Sequence, residues 1–120
     1  MIWNKDLTPF TDKVIAVDFD GTLVSDKFPY IGEPDLVLVN WLKKCQLRNC
    51  KLILWTCRSN NIIVDGTGSL DNAVNFCRDS LGLAFEAVNE NLKEVQDKWN
   101  NDTRKVLADY YLDEKCLSYE

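Results

Sequence analysis

Short apolar runs alternate along this chain with stretches whose apolar positions recur at helical spacing. Val14-Ile15-Ala16-Val17 is a continuous apolar run with β-branched residues, as expected of a parallel strand buried on both faces. It predicts a first strand over residues 14–19, after an irregular lead-in at 1–12. Gly21, Pro29, Gly32 and Pro34 then punctuate residues 21–34 as a loop or short hairpin. Leu38, Trp41, Leu42 and Cys45 follow at i, i+3, i+4, i+7 and predict a helix over 35–47. A second strand is expected at 51–55, followed by a polar, glycine-containing loop at 59–68. Its apolar tip, Ile62-Ile63-Val64, is expected to pack back on the domain. Leu70, Ala73, Val74, Cys77 and Leu81 mark one face of a helix over 69–81, and Gly82 sits where a C-terminal cap belongs. A third strand is predicted at 84–88. A third helix at 91–100 carries Leu92, Val95 and Trp99, and a last strand runs over 106–112.

Strands alternating with helices imply an α/β fold. The expected form is Rossmann-like: a central parallel sheet of about four to five strands, right-handed crossovers and helices on both faces. At 120 residues with no Pro- or Gly-rich linker, the chain reads as a single domain over 1–120, and a 46% apolar content is enough for a real core. A formal charge of −5 without a basic stripe argues against a large nucleic-acid footprint, though not against a small phosphate site. The first residues lack the apolar core of a signal peptide, and no apolar run approaches a membrane span. Five cysteines with no Cys-x-x-Cys spacing suggest reduced thiols in a cytoplasmic protein. Histidine is absent, which removes histidine-based catalysis and most transition-metal sites. No cysteine has an arginine six positions later, which excludes cysteine-dependent phosphatase chemistry.

The chemistry concentrates where strand one ends, at Asp18-Phe19-Asp20-Gly21-Thr22. Open α/β sheets bind ligands beyond the carboxyl ends of their strands. If extended geometry continued, Asp18 and Asp20 would share a face. Two such carboxylates repel unless a cation or shared proton relieves them, so the pair calls for a chemical explanation. Gly21 permits a sharp turn. Strand two ends in Trp55-Thr56-Cys57-Arg58, the last strand in Asp113-Glu114, and Lys93 opens the helix after strand three.

Asp18-x-Asp20-Gly21-Thr22 resembles the first motif of the haloacid dehalogenase superfamily. The resemblance covers most of residues 14–115 and is closest to small bacterial and phage members. It implies a phosphatase in which Asp18 attacks phosphorus and Asp20 serves as general acid and base. Thr56 matches the second motif, a hydroxyl donor to phosphate, and Arg58 would grip phosphate with two donors. The third motif is a lysine, for which Lys93 and Lys105 both offer. Lys93 is preferred, because a lysine at the start of the last strand lies over about 10 Å from its carboxyl end. The fourth motif supplies metal ligands. Asp113, with Glu114 beside it, is favoured because Lys93 then lies twenty residues upstream, and Asp109 is the alternative. The implied cation is Mg²⁺, held by Asp18, Asp20 through its carbonyl, and Asp113.

Too few residues separate these motifs to hold a folded cap, so the resemblance is to the capless branch. An open site suits a phosphorylated nucleic-acid end, a nucleotide or a phosphoprotein, and formation of a homo-oligomer is the other source of a lid. No membrane partner is expected. The competing reading is a catalytically inactive relative that binds phosphate or a partner. A receiver-like signalling module fits poorly, since no aspartate ends strand three.

Overall fold

The computed structural model describes residues 6–114. Residues 1–5 of the expected lead-in, and Cys116, lie outside it. The elements in chain order are β1 (Val14–Val17), α1 (Leu36–Gln46), β2 (Lys51–Leu54), β3 (Ile63–Val64), β4 (Thr67–Gly68), α2 (Ser69–Phe76), β5 (Ala87–Val88), α3 (Lys93–Trp99) and β6 (Tyr110–Leu112). β1, β2, β5 and β6 form one parallel sheet in the order β5-β2-β1-β6. The fold is therefore the expected Rossmann-like α/β architecture.

Strand pleating explains the two cores. Ile15, Val17, Leu52 and Leu54 point to one side of the sheet, where α1 brings Leu38 and Leu42, α2 brings Ala73, and the turn after α2 brings Cys77. Their alternates Ala16, Ile53 and Ala87 point to the other, where Leu92 and Val106 meet them. The first side is thickly covered. α1 buries Leu38, Val39, Trp41, Leu42 and Cys45, each large side chain contributing about 1.5–3 kcal/mol when removed from water. Its start is set by Asp35, whose carboxylate accepts from the Leu38 N–H at 3.1 Å, a cap worth about 1 kcal/mol. The second side is thin, because α3 has seven residues and buries none of them. Trp99, expected on an apolar face, is 63% exposed, since the helix ends there and Asn100 turns left-handed at φ 52°.

The structure differs from the predicted elements chiefly in the later strands. Regular β5 pairing covers two residues and β6 three, not 84–88 and 106–112. The chain before β6 is held instead by side-chain bonds: the Asn91 Oδ1 accepts from the Leu107 N–H at 2.6 Å, and Asp109 Oδ2 from the Val14 N–H at 2.7 Å. The second helix holds α form only to Phe76, and Cys77–Leu81 widens into a π turn closed by left-handed Gly82. The loop at 59–68 contains the antiparallel hairpin β3–β4. Its turn is Asp65-Gly66, both at positive φ, the pairing that suits a two-residue hairpin turn. Ile63 at its tip is 61% exposed, so this tip does not pack back on the domain as expected. No helix among the described residues is long and apolar enough to cross a membrane. Cys45, Cys50, Cys57 and Cys77 are free thiols.

Candidate active site

The order of the strands creates the site. β1 leads to β2 and then β5 on one side, after which the chain returns to lay β6 on the other side of β1. The direction of winding therefore reverses between β1 and β6, and open sheets bind ligands outside the carboxyl ends at such a point. Asp18 follows β1 there, and Asp113 follows β6. The Asp18 N–H bonds to the Leu112 carbonyl at 2.9 Å, joining the two strand ends. Thr22 reinforces the junction: its Oγ1 lies 3.4 Å from Asp18 Oδ2 and accepts from the Glu114 N–H at 3.1 Å.

A cleft of about 470 Å³ opens at this edge, lined by Asp18, Asp20, Asp26, Asp113 and Glu114 together with Thr56 and Arg58. Phe28 and Cys57 complete its rim. Two other clefts carry less chemistry. One of about 430 Å³ beneath α3 is lined by Val95, Trp99 and Tyr111 and has no carboxylate among its lining residues. The other, about 640 Å³, runs from Thr56 to Arg104.

The first two acids are held in opposite ways. Burial pushes the Asp18 carboxyl up to about 6, and the charges of Asp113, Asp20 and Glu114 push it the same way against a lowering N–H from Phe19. Asp20 instead meets Arg58 through a two-point pair, Nε to Oδ2 and Nη2 to Oδ1, both 2.8 Å. Extended geometry does not continue to Asp20, because β1 ends at Val17 and the Phe19 carbonyl accepts from the amides of Thr22, Leu23 and Val24. Gly21 lies in this turn at φ +84°, and a Cβ there would fall 2.1 Å from Glu114 Oε2. That carboxylate can swing aside, so the positive φ is the harder constraint on the residue type.

Thr56 follows β2 as expected. Its N–H donates to Asn89 Oδ1 at 2.8 Å, and its Oγ1 accepts from the Arg58 N–H at 3.2 Å. The hydroxyl proton remains available to a ligand.

Two sequence assignments, Arg58 and Lys93, need correction, and the two alternatives, Lys105 and Asp109, fall away. Arg58 cannot grip phosphate in this arrangement. Its side chain is wholly buried, and its remaining donors reach the carbonyls of Pro29, Tyr30 and Ser69. Lys93 does not enter the cleft: its ammonium is 3.4 Å from Asp97 and its side chain 85% exposed. The inward place at that helix start belongs to Leu92, which is 3% exposed. Lys105 lines the cleft beneath α3 instead. Asp109 stands at the amino end of β6, opposite the site, where it caps the Val14 amide. Asp26 and Phe28 carry no sequence signal, since they arrive from a loop without periodicity, and the place of Thr22 between Asp18 and Glu114 emerges only in the fold.

The donor set suits a hard cation. Five carboxylates from two strand ends and a loop share the cleft with one guanidinium that is already paired. Among the described residues, no three side chains are gathered as a ready-made metal cage. Mg²⁺ does not require one, since it retains several waters and commonly takes one or two carboxylates. Asp18, Asp113 and the Asp20 carbonyl are the groups that could hold it.

No protein-family model and no curated protein matches the chain. A solved structure of a conserved protein from Bacteroides thetaiotaomicron is similar to it, with 36% sequence identity and a TM-score of 0.72. The match covers 88% of this chain and 78% of that one. Identity and coverage of that extent mean that the chain belongs to the same family as this conserved Bacteroides protein.

Proposed function

We propose that the chain is a Mg²⁺-dependent phosphoric monoester hydrolase of the haloacid dehalogenase type, without a cap. One observation carries this reading: Asp18 and Asp113, ninety-five residues apart in sequence, meet with Thr56 in one acidic cleft at the winding reversal of the sheet. An Asp18 oxygen attacks phosphorus in line, forming a phospho-aspartate as the ester oxygen–phosphorus bond breaks. Asp20 passes a proton to the leaving oxygen. It then takes one from the water that attacks the phospho-aspartate, releasing phosphate and restoring Asp18. The Thr56 hydroxyl donates to a phosphate oxygen. Mg²⁺, when bound, supplies the charge neutralisation that lets a carboxylate approach an anionic ester. Among the described residues the cleft is lined by strand ends and by Asp26 and Phe28 of the 21–34 loop, with no cap domain over it, and this openness favours a phosphorylated nucleic-acid end, nucleotide or phosphoprotein.

The test is Mg²⁺-dependent hydrolysis of a generic aryl phosphate by the wild type and by Asp18→Asn. The expected result is metal-dependent turnover that falls by roughly 10³-fold or more in the variant. Equal rates would overturn the reading. One observation favours a binding protein without turnover: among the described residues no lysine lines the cleft. Phosphate binding in Mg²⁺ without any hydrolysis would support that alternative.

A further inference from the structure

We infer that Arg58 is a positioning residue for Asp20, joining that carboxylate to the rim of the cleft, and is not a ligand of the substrate. The kinetic part of this inference rests on the phosphatase reading. The packing part does not.

Arg58 is one of three buried polar or charged residues among those described, the others being Ser69 and Asn91. A guanidinium has five N–H donors, and every one is used. Two meet the Asp20 carboxylate at 2.8 Å. The others reach the Tyr30 carbonyl at 2.8 Å, the Ser69 carbonyl at 3.1 Å and the Pro29 carbonyl at 3.2 Å. The guanidinium carbon also lies over the rings of Phe19 and Phe28, 4.9 and 5.2 Å from their centroids. No N–H is left for a phosphate.

This geometry gives Asp20 what a proton-transferring group needs. A planar fork fixes both the position and the rotation of a carboxylate. Each carboxylate oxygen keeps a second lone pair, so the pairing does not use up Asp20. The other three donors bind backbone of the 21–34 loop and of α2. Phe28, on that loop, lines the same cleft and is 45% exposed. The surface that meets a leaving group and the acid that would protonate it are thus joined through one guanidinium. A lysine cannot substitute, since its ammonium has three donors at a single point and no plane to stack.

The experiment compares wild type, Arg58→Lys, Asp20→Asn and the double variant in Mg²⁺, on an aryl phosphate and with inorganic phosphate as the binding probe. Arg58→Lys is expected to lower kcat about a hundredfold, as displacement of a catalytic group by about 1 Å does. KM and phosphate affinity should stay within about twofold, since no substrate contact is lost. The double variant should be no slower than Asp20→Asn, because the two residues act as one unit. A tenfold weaker phosphate affinity with kcat preserved would make Arg58 a ligand and overturn the inference, as would multiplicative losses in the double variant.

Amide exchange in Asp20→Asn reads the same coupling with Arg58 intact, should Arg58→Lys fail to fold. The Tyr30 and Ser69 amides, bonded to Lys27 and Ile62 carbonyls, should exchange about tenfold faster, and unchanged exchange would overturn the inference. If wild type hydrolyses nothing, the phosphatase reading fails while the exchange result still decides the packing claim.

Discussion

The two sides of the acidic cleft solve the same electrostatic problem differently. On the side of β2, Asp20 is neutralised by a buried arginine whose every donor is used. On the side of β6, Asp18 faces Asp113 and Glu114, with no basic side chain other than that committed arginine lining the cleft among the described residues. Burial and like charge leave the Asp18 carboxyl raised to about 6. The first side is finished by the fold itself, whereas on the second a cation or a proton would relieve the like charges that crowd Asp18. The first side therefore holds its carboxylate rigid, and the second is where a cation is expected.

The same chemical change should then be read by different measurements on the two sides. Asp20→Asn strands a buried guanidinium, and removing one partner of a buried pair costs about 3 kcal/mol or more. Denaturant unfolding would show it, and a loss below about 1 kcal/mol would contradict a self-contained Asp20–Arg58 unit. Asp113→Asn removes a candidate ligand from the other side. Mg²⁺ affinity, measured by calorimetry, should fall roughly tenfold or more.

A mutation outside the cleft sharpens the contrast. Asp109→Ala removes the acceptor for the Val14 amide and should cost about 1 kcal/mol, with Mg²⁺ affinity unchanged. The smallest effect is the pH dependence of Asp18. Its folded carboxyl holds a proton up to about 6, against an ordinary value of 3.8. The folded state thus binds more protons between these values, and metal-free stability falls as pH rises from about 4 to 6. Half-exposure screens most of the effect, leaving about 1 kcal/mol or less. Thermal unfolding in a chelator should show this decline in wild type and not in Asp18→Asn.

Much of the architecture was legible because its signals are local. The apolar run of β1 and the i, i+3, i+4, i+7 face of α1 each act within about a dozen residues, and the fold agrees with them. Asp18, Thr56 and Asp113 were legible for a related reason: each lies within two residues of a strand's carboxyl end, and parallel strands place those ends on one edge. The shortness of β5 and β6 was not legible. Apolar composition at 84–88 and 106–112 reports burial, and Val106 is indeed 1% exposed, but it is buried outside any strand. The Asp65-Gly66 hairpin carried a local signal that the glycine-containing loop concealed.

Arg58 and Lys93 mark the limit more sharply. By type and spacing either could bind phosphate, and both are cations near a strand end. Sequence determined the order of elements, the edge on which the acids gather and the residue types available there, because periodicity and strand ends are properties of neighbouring residues. Tertiary structure alone decided which cation was committed, turning Arg58 inward against Phe19 and Phe28 and Lys93 out to Asp97. The reason is that a charged side chain's role depends on which donors and acceptors from distant segments surround it, and those partners (Asp20, Pro29, Tyr30 and Ser69 around one guanidinium) meet only when the chain has folded.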